Sequence, residues 1–419
     1  MNSGDSNDTA RRTDGGLGRR NFLRLGTAGV AGLAVAGATA GTATASARTA
    51  TTRTSATTAA AVTTMPDPAP VDLKQGGGKT YHASPGDTPE FHVNDFDSFK
   101  NAVENAGDGD IIRVADDAAI DMTGAENTLS IGTGVIISGG RGNNGSLGGL
   151  IYTTRDRNPV ADKALPMFKT YGDRVRFTGL RIQGPRLANY WDPEGYDGNP
   201  YDDTAYDNYL IGGIHFLGDN CRVDNCQLYG FTHAAISVGA GSYPVSARID
   251  HSSIHNNPME HFGYGVNLYN GESVIEWNYF DYNRHSIAGY GYATNGYTAR
   301  YNLVGEHPIS HAFDMHGRAQ NDGSDTEVAG GTINIHHNTF RFTTDVFPES
   351  RAQEAIAIRG VPENRCDIDN NWFYHDSKPV EVNKQGNAYR QENERWMHMW
   401  ASGNHFGRSE PAADIGHPR

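Results

Sequence analysis

Five short segments with a common apolar rhythm carry most of the side chains here that could do acid–base or ionic chemistry. They are Ala234-Ala-Ile-Ser-Val238, Tyr264-Gly-Val-Asn-Leu268, His285-Ser-Ile-Ala-Gly289, His311-Ala-Phe-Asp-Met315 and Glu354-Ala-Ile-Ala-Ile358. Laid side by side as strands, they place Ile236, Val266, Ile287, Phe313 and Ile356 in one interior column. Alternation then turns the next residues outward, giving Ser237, Asn267, Ala288, Asp314 and Ala357. Two places further on, the outward column reads Gly239, Tyr269, Tyr290, His316 and Arg359, while the first positions read Ala234, Tyr264, His285, His311 and Glu354, with Arg284 just before.

Rows of aromatic, histidine and arginine side chains on one face suit sugar rings and their carboxylates. Arg284 and Arg359 are expected to clamp a carboxylate. His285 or His311 is expected to act as base, since an imidazole with a pKa of about 6.5 needs little tuning at neutral pH. Tyr290 or His316 would then supply a proton. Asp314 lies among them, and Tyr264, Tyr269, Asn267 and Glu354 complete the expected contacts with a bound polymer. His285, His311 and Glu354 also form a candidate ligand set for a divalent cation such as calcium. A pair of carboxylates, Asp314 with Glu354 or Glu260, would instead serve hydrolysis.

The elements that must position these residues form an internal repeat. A six-residue pattern recurs as Val223-Asp-Asn-Cys-Gln-Leu228, Ile249-Asp-His-Ser-Ser-Ile254, Ile275-Glu-Trp-Asn-Tyr-Phe280, Ala299-Arg-Tyr-Asn-Leu-Val304, Ile335-His-His-Asn-Thr-Phe340 and Ile368-Asp-Asn-Asn-Trp-Phe373. Its fourth position falls at 226, 252, 278, 302, 338 and 371, so the spacings are 26, 26, 24, 36 and 33 residues. An earlier copy runs from Phe177 to Ile182. Such spacing matches one turn of a three-sheet solenoid plus loops of variable length, and the always-apolar sixth position predicts a continuous interior column. Asparagine stands at the fourth position in four consecutive copies, where stacked amides can pass hydrogen bonds from coil to coil. The expected fold is therefore all-β, a right-handed parallel β-helix formed by a single chain. Phe96, Phe99, Ala102, Val103 and Ala106 share one face of an expected helix that caps its N-terminal end. The Met and Trp residues of 395–400 are expected to cover the other end.

At this level the chain resembles the pectate-lyase-like group of polysaccharide-active β-helix proteins. Arg248-Ile-Asp-His251 resembles that family's Trp-Ile-Asp-His strand. The stretch from Glu276-Trp-Asn-Tyr-Phe280 to Gly289 resembles its following strand and turn, and that from Ile335-His-His-Asn338 to Gly360 its next coil. The resemblance spans residues 90–375. The family's Lys after the second motif is replaced here by Arg284-His285, and its Arg-x-Pro-Arg run has no counterpart between Arg351 and Arg359. What the resemblance implies is an extended polysaccharide as partner, with β-elimination on a uronate-containing polymer as the expected reaction. Glycoside hydrolysis on the same scaffold and a non-catalytic carbohydrate-binding or cell-surface module are the alternatives.

Residues 19–25, Arg-Arg-Asn-Phe-Leu-Arg-Leu, precede a weakly apolar Gly/Ala run and resemble a twin-arginine signal, with cleavage expected after Ala47. The reading is thus of a secreted protein: signal 1–47, a Thr/Ala/Pro-rich linker 48–75, and one domain 76–419, monomeric and without a membrane span once the signal is removed. Removing 1–47 leaves 30 basic and 46 acidic residues, a formal charge of −16. Nucleic acid is excluded as a partner on that ground. The same charge opposes an anionic polymer unless salt screens it, to about 3 Å at 1 M, and with only seven Lys the composition points to a halophilic setting. Three cysteines permit at most one bridge and no disulfide framework.

Overall fold

The computed structural model describes residues 62–81, 86, 88–125, 128–156, 164–190, 210–241, 243–318, 327–341, 354–374, 387–391 (backbone) and 397–419. The expected export signal and the first part of the linker lie outside these residues. Among the described residues no helix is long and apolar enough to cross a membrane.

Among the described residues, three sheets of eleven, ten and nine strands run side by side. Each coil contributes one strand to each sheet, and every ladder pairs a strand with its counterpart one coil away, in parallel. The result is a right-handed parallel β-helix. Its first sheet runs from Phe91–Val93 to Met399–Ser402, its second from Ala119–Asp121 to His405–Phe406, and its third from Leu129–Ile131 to Asn387–Gln391.

The six-residue repeat spans the tight turn from the first sheet to the second. Its sixth position forms the expected interior column: Leu228, Ile254, Phe280, Val304, Phe340 and Phe373 are in register on successive strands. All six are 0–4% exposed. The fourth position forms the expected ladder of amides. Asn302 Oδ1 accepts from the Asn278 backbone N–H at 2.9 Å, Asn338 Oδ1 from Asn302 at 3.0 Å, and Asn371 Oδ1 from Asn338 at 2.9 Å. The third position pays for the tightness of the turn, with Asn225, His251, Trp277, Tyr301, His337 and Asn370 all at positive φ. Side chains rarely adopt that conformation unless their surroundings enforce it. The amide ladder supplies that enforcement by fixing the backbone on both sides of the turn.

Helix Phe96–Asn105 closes the N-terminal end, starting at Asp95, which caps the Ser98 N–H at 2.8 Å. Phe99, Ala102 and Val103 are buried, and the Phe99 ring meets Phe168 edge-on at 6.0 Å. At the other end Trp396 lies outside the described residues, and for the rest of 395–400 the expectation needs correcting. Residues Met399–Ser402 are not a cover but a further coil, paired with Arg365–Asp369. Met399 points inward, whereas Met397 and Trp400 are exposed. The ladder continues into this coil, since Asn404 Oδ1 accepts from the Asn371 N–H at 2.8 Å. The stretch Ala401-Ser-Gly-Asn-His-Phe406 is thus a further copy of the pattern, with Phe406 in register with Phe373. Cys221, Cys226 and Cys366 are buried free thiols.

From residue 62 the Thr/Ala/Pro-rich stretch expected as linker lies against the solenoid. Gln183 and Gln227 donate to the carbonyls of Thr63 and Met65, and Asp67 forms an ion pair with the buried Arg141.

Candidate active site

The candidate residues share the outer face of the third sheet. Strands Ala234–Val238, Tyr264–Leu268, His285–Gly289, Phe313–Met315 and Glu354–Ile358 are successive neighbours. The middle outward column is in register as expected, from Ser237 through Asn267, Ala288 and Asp314 to Ala357. Strict alternation would have turned the first positions inward with Ile236. Instead the second positions, Ala235, Ala312 and Ala355, join the central core beside Ile236, Phe313 and Ile356. Two consecutive side chains face in because the first of them is small. Gly265 shows the constraint: an added Cβ would stand 3.2 Å from the interior Ile254. The bend frees Tyr264, His285, His311 and Glu354 to stand outside with the middle column.

Asp314 is the hub. Its carboxylate is fully buried and accepts from Arg359 Nε at 2.9 Å and Nη2 at 2.7 Å. His316 Nε2 lies 2.7 Å from Oδ2. His311 Nε2 is 3.3 Å and His285 Nε2 3.7 Å from the same oxygen. Burial alone would raise the Asp314 pKa, but Arg359, His316 and His311 outweigh it and hold the group well below the usual carboxylate range. Asp314 is an anion that positions its neighbours, not a proton donor.

The four flanking side chains differ in what they can still do. His285 is completely buried, and its Nδ1 donates to the His311 carbonyl at 2.7 Å. Its Nε2 is therefore a lone pair, and among the described residues it has no hydrogen-bond partner. Burial, with Arg284 and His311 nearby, lowers its pKa well below the ordinary value. His311 stacks on it with ring centres 4.2 Å apart, and its Nε2 accepts from Arg359 Nη2 at 2.7 Å. Burial pushes His311 down to about 4 despite Asp314. His316 has the most open of the three imidazoles, with 21% of its side chain exposed against 11% for His311. With Nε2–H directed to Asp314, its Nδ1 lone pair is the one left for chemistry. The Tyr290 ring stacks 6.1 Å from His316, and Tyr269 stacks 5.0 Å beyond it. Burial raises the Tyr290 hydroxyl well above its ordinary pKa, so it stays protonated.

The expected clamp Arg359 is committed to Asp314 and His311. Arg284 remains half-buried beside the Tyr264 hydroxyl, with Nη1 3.4 Å from the His261 carbonyl. Asn267 is fully buried, with its side chain beside Tyr269. Glu354, expected as a metal ligand, stands behind His311 with Oε1 3.7 Å from Nδ1, and Asp314 takes the ligand position in front. The sequence columns missed His233, whose Nε2 is 3.3 Å from the Tyr269 hydroxyl, and His215, paired with Ser237 one coil back. His215 sits on the same outward column and could have been found by extending the alignment one strand upstream.

No protein-family model matches the chain, and no curated protein matches it. Among solved structures it is similar to the PL6-family alginate lyase AlyGC, at 12% identity and a TM-score of 0.36, over 78% of this chain and 53% of that one. The chain thus spans about half the length of that structure.

Proposed function

We propose that this protein is a polysaccharide lyase that cleaves a uronate-containing polymer by β-elimination. The observation that carries the reading is the imidazole of His316, held by a buried anionic Asp314 and stacked beside a protonated Tyr290. A base needs an open lone pair and a partner that steadies the imidazolium it becomes. His316 has both, whereas His285 and His311 are more buried and shifted toward the neutral form. In this assignment His316 Nδ1 takes the proton from the carbon beside the uronate carboxylate. The electron pair left behind forms the new carbon–carbon double bond, the glycosidic carbon–oxygen bond breaks, and Tyr290 gives its proton to the departing oxygen. Arg284 meets the carboxylate. Arg359 is a positioning residue that fixes Asp314. Tyr269, partly exposed, remains a proposed contact for the polymer, whereas Tyr264 and Asn267 are buried beneath that surface.

The hydrolytic alternative needs one carboxyl group able to donate a proton. Asp314 is fully buried, ion-paired and ionised, and Glu354 is masked by His311, so neither favours it. Incubating the protein with polyuronates and neutral polysaccharides, and following both unsaturated product and reducing ends, tests the proposal. Both signals should rise together on a polyuronate. Reducing ends without unsaturation would establish hydrolysis, and binding without either signal would establish a carbohydrate-binding module.

A further inference from the structure

We infer that His285 Nε2, His311 Nε2 and Asp314 Oδ2 form a binding site for a borderline transition-metal cation of the Zn²⁺ type. The inference does not depend on the polymer or on the reaction, because metal is read without substrate.

The first observation is spacing. Bonds of about 2.1 Å to a tetrahedral ion put neighbouring ligand atoms about 3.4 Å apart. Asp314 Oδ2 lies 3.3 Å from His311 Nε2 and 3.7 Å from His285 Nε2, and the cluster as a whole fits within 4.8 Å. The second is the orphaned lone pair. Among the described residues His285 Nε2 is fully buried without a hydrogen-bond partner, and leaving such a group uncompensated is unfavourable. A cation shared with His311 and Asp314 would satisfy it.

The third observation is the layer behind the ligands. A metal-bound imidazole nearly always gives its other N–H to a carbonyl or carboxylate, which fixes the tautomer. His285 does so to the His311 carbonyl at 2.7 Å. His311 Nδ1 faces Glu354 Oε1 at 3.7 Å and Ser310 Oγ at 3.5 Å. Asp314 Oδ1 is held by Arg359 Nε at 2.9 Å. Two imidazoles among three ligands select zinc, nickel, cobalt or copper, whereas calcium prefers an all-oxygen shell. Arg359 Nη2 now takes the cation's place against two of the ligand atoms, 2.7 Å from each. Metal binding requires that contact to retreat while the Nε bond to Oδ1 remains.

The test uses the full chain, loaded with Zn²⁺ and desalted, with metal measured by mass spectrometry. One zinc per chain should be retained. His285→Gln and His311→Gln should each lose at least nine-tenths of it, and Glu354→Gln should weaken binding by about 10–100-fold. Tyr290→Phe should keep the metal while losing turnover, which separates this inference from the lyase reading. Because a buried His variant can fail to fold, the unaltered protein is also loaded with one equivalent of Cu²⁺. Its electron paramagnetic resonance spectrum should show coupling to two imidazole nitrogens. The surface pair His336 and His337, whose Nδ1 atoms are 2.9 Å apart, is the rival source. A His336→Gln/His337→Gln variant should therefore give the same spectrum. Absence of retained zinc, a spectrum without two nitrogens, or its loss in that double variant would overturn the assignment.

Discussion

At the scale of single residues, the proposed base and acid make the most direct claim. His316→Gln should lower turnover on the true substrate by about 10²–10⁴, the usual cost of losing a general base, while thermal stability changes little because the ring is partly open to solvent. Tyr290→Phe should do the same and leave polymer binding intact. Full activity in either variant would remove the assignment. In the sequence the period of a strand alone put Asp314, Tyr290 and His316 on one outward face, whereas His285 and His311 reach that face only through the bend in their strands. It could not rank them. Choosing among His285, His311 and His316 requires knowing which lone pair is open and which is spent, and that depends on Arg359 crossing from the next coil. Other histidines beside the site make a second claim at this scale. Burial pushes His215 down to about 4 and His233 to about 3. Above the unfolded value of about 6.5 both states are neutral and these groups leave stability unchanged. As pH falls below it the unfolded chain binds more protons, so stability must fall, down to about pH 4 for His215 and pH 3 for His233. Each contributes a slope of at most about 1.4 kcal/mol per pH unit. Urea titrations at several pH values should show His233→Gln flattening the curve over that window, and an unchanged slope would mean that His233 is protonated in the folded state.

At the scale of elements, the turn between the first and second sheets concentrates both strain and its remedy. The Asn302 amide accepts from the Asn278 N–H at 2.9 Å and donates to the Ile275 carbonyl at 2.8 Å. Asn302→Ala would leave these two buried groups without their partner, at roughly 1–3 kcal/mol for each. The expected result is a lower urea midpoint, with any loss of activity explained by instability. A change below about 0.5 kcal/mol, the range of ordinary surface substitutions, would show that the ladder is ornament. This ladder and the Phe280 column were legible because identical residues at a constant offset leave a visible period. The last copy, at Asn404, escaped because Ala401, Ser402 and Gly403 replace the bulkier residues of its neighbours, so only the asparagine and Phe406 carried the signal. The bend that turns His285 and His311 outward was hidden for a related reason. It lies in a small residue at the second position of each strand, where alanine, serine and glycine look interchangeable with any exposed site.

At the scale of the whole molecule, both ends of the described chain fold back onto the same row of turns. The N-terminal segment crosses several coils: Gly78 N–H reaches Asn225 Oδ1 at 2.7 Å, Gly76 N–H reaches the Trp277 carbonyl at 3.0 Å, and Lys74 lies over the Trp277 ring at 5.5 Å. The C-terminal tail comes from the other side, with His417 N–H on Thr339 Oγ1 at 3.0 Å. They meet at the fully buried Gln75, whose Nε2 donates to the carbonyls of Tyr301 at 3.2 Å and Pro418 at 3.4 Å. Arg141 anchors this strap, pairing with Asp67 and donating to the Gly76 carbonyl at 2.8 Å. Breaking a buried pair by removing one partner costs about 3–5 kcal/mol. In a solenoid each coil depends mainly on its neighbours, so such a loss is spent locally before it reaches the rest. Arg141→Met should therefore free the strap without unwinding the sheets. Limited trypsin digestion should cut at Lys74 and Lys79 much faster than in the unaltered protein, while the β-sheet circular dichroism and the polyuronate activity persist. Both lysine side chains are exposed, but Gln75, which follows Lys74, is fully buried, so the Lys74–Gln75 bond is the informative site. Unchanged cleavage there would mean that the strap is held without Arg141, and loss of the sheet signal would mean that the strap is part of the core rather than laid upon it.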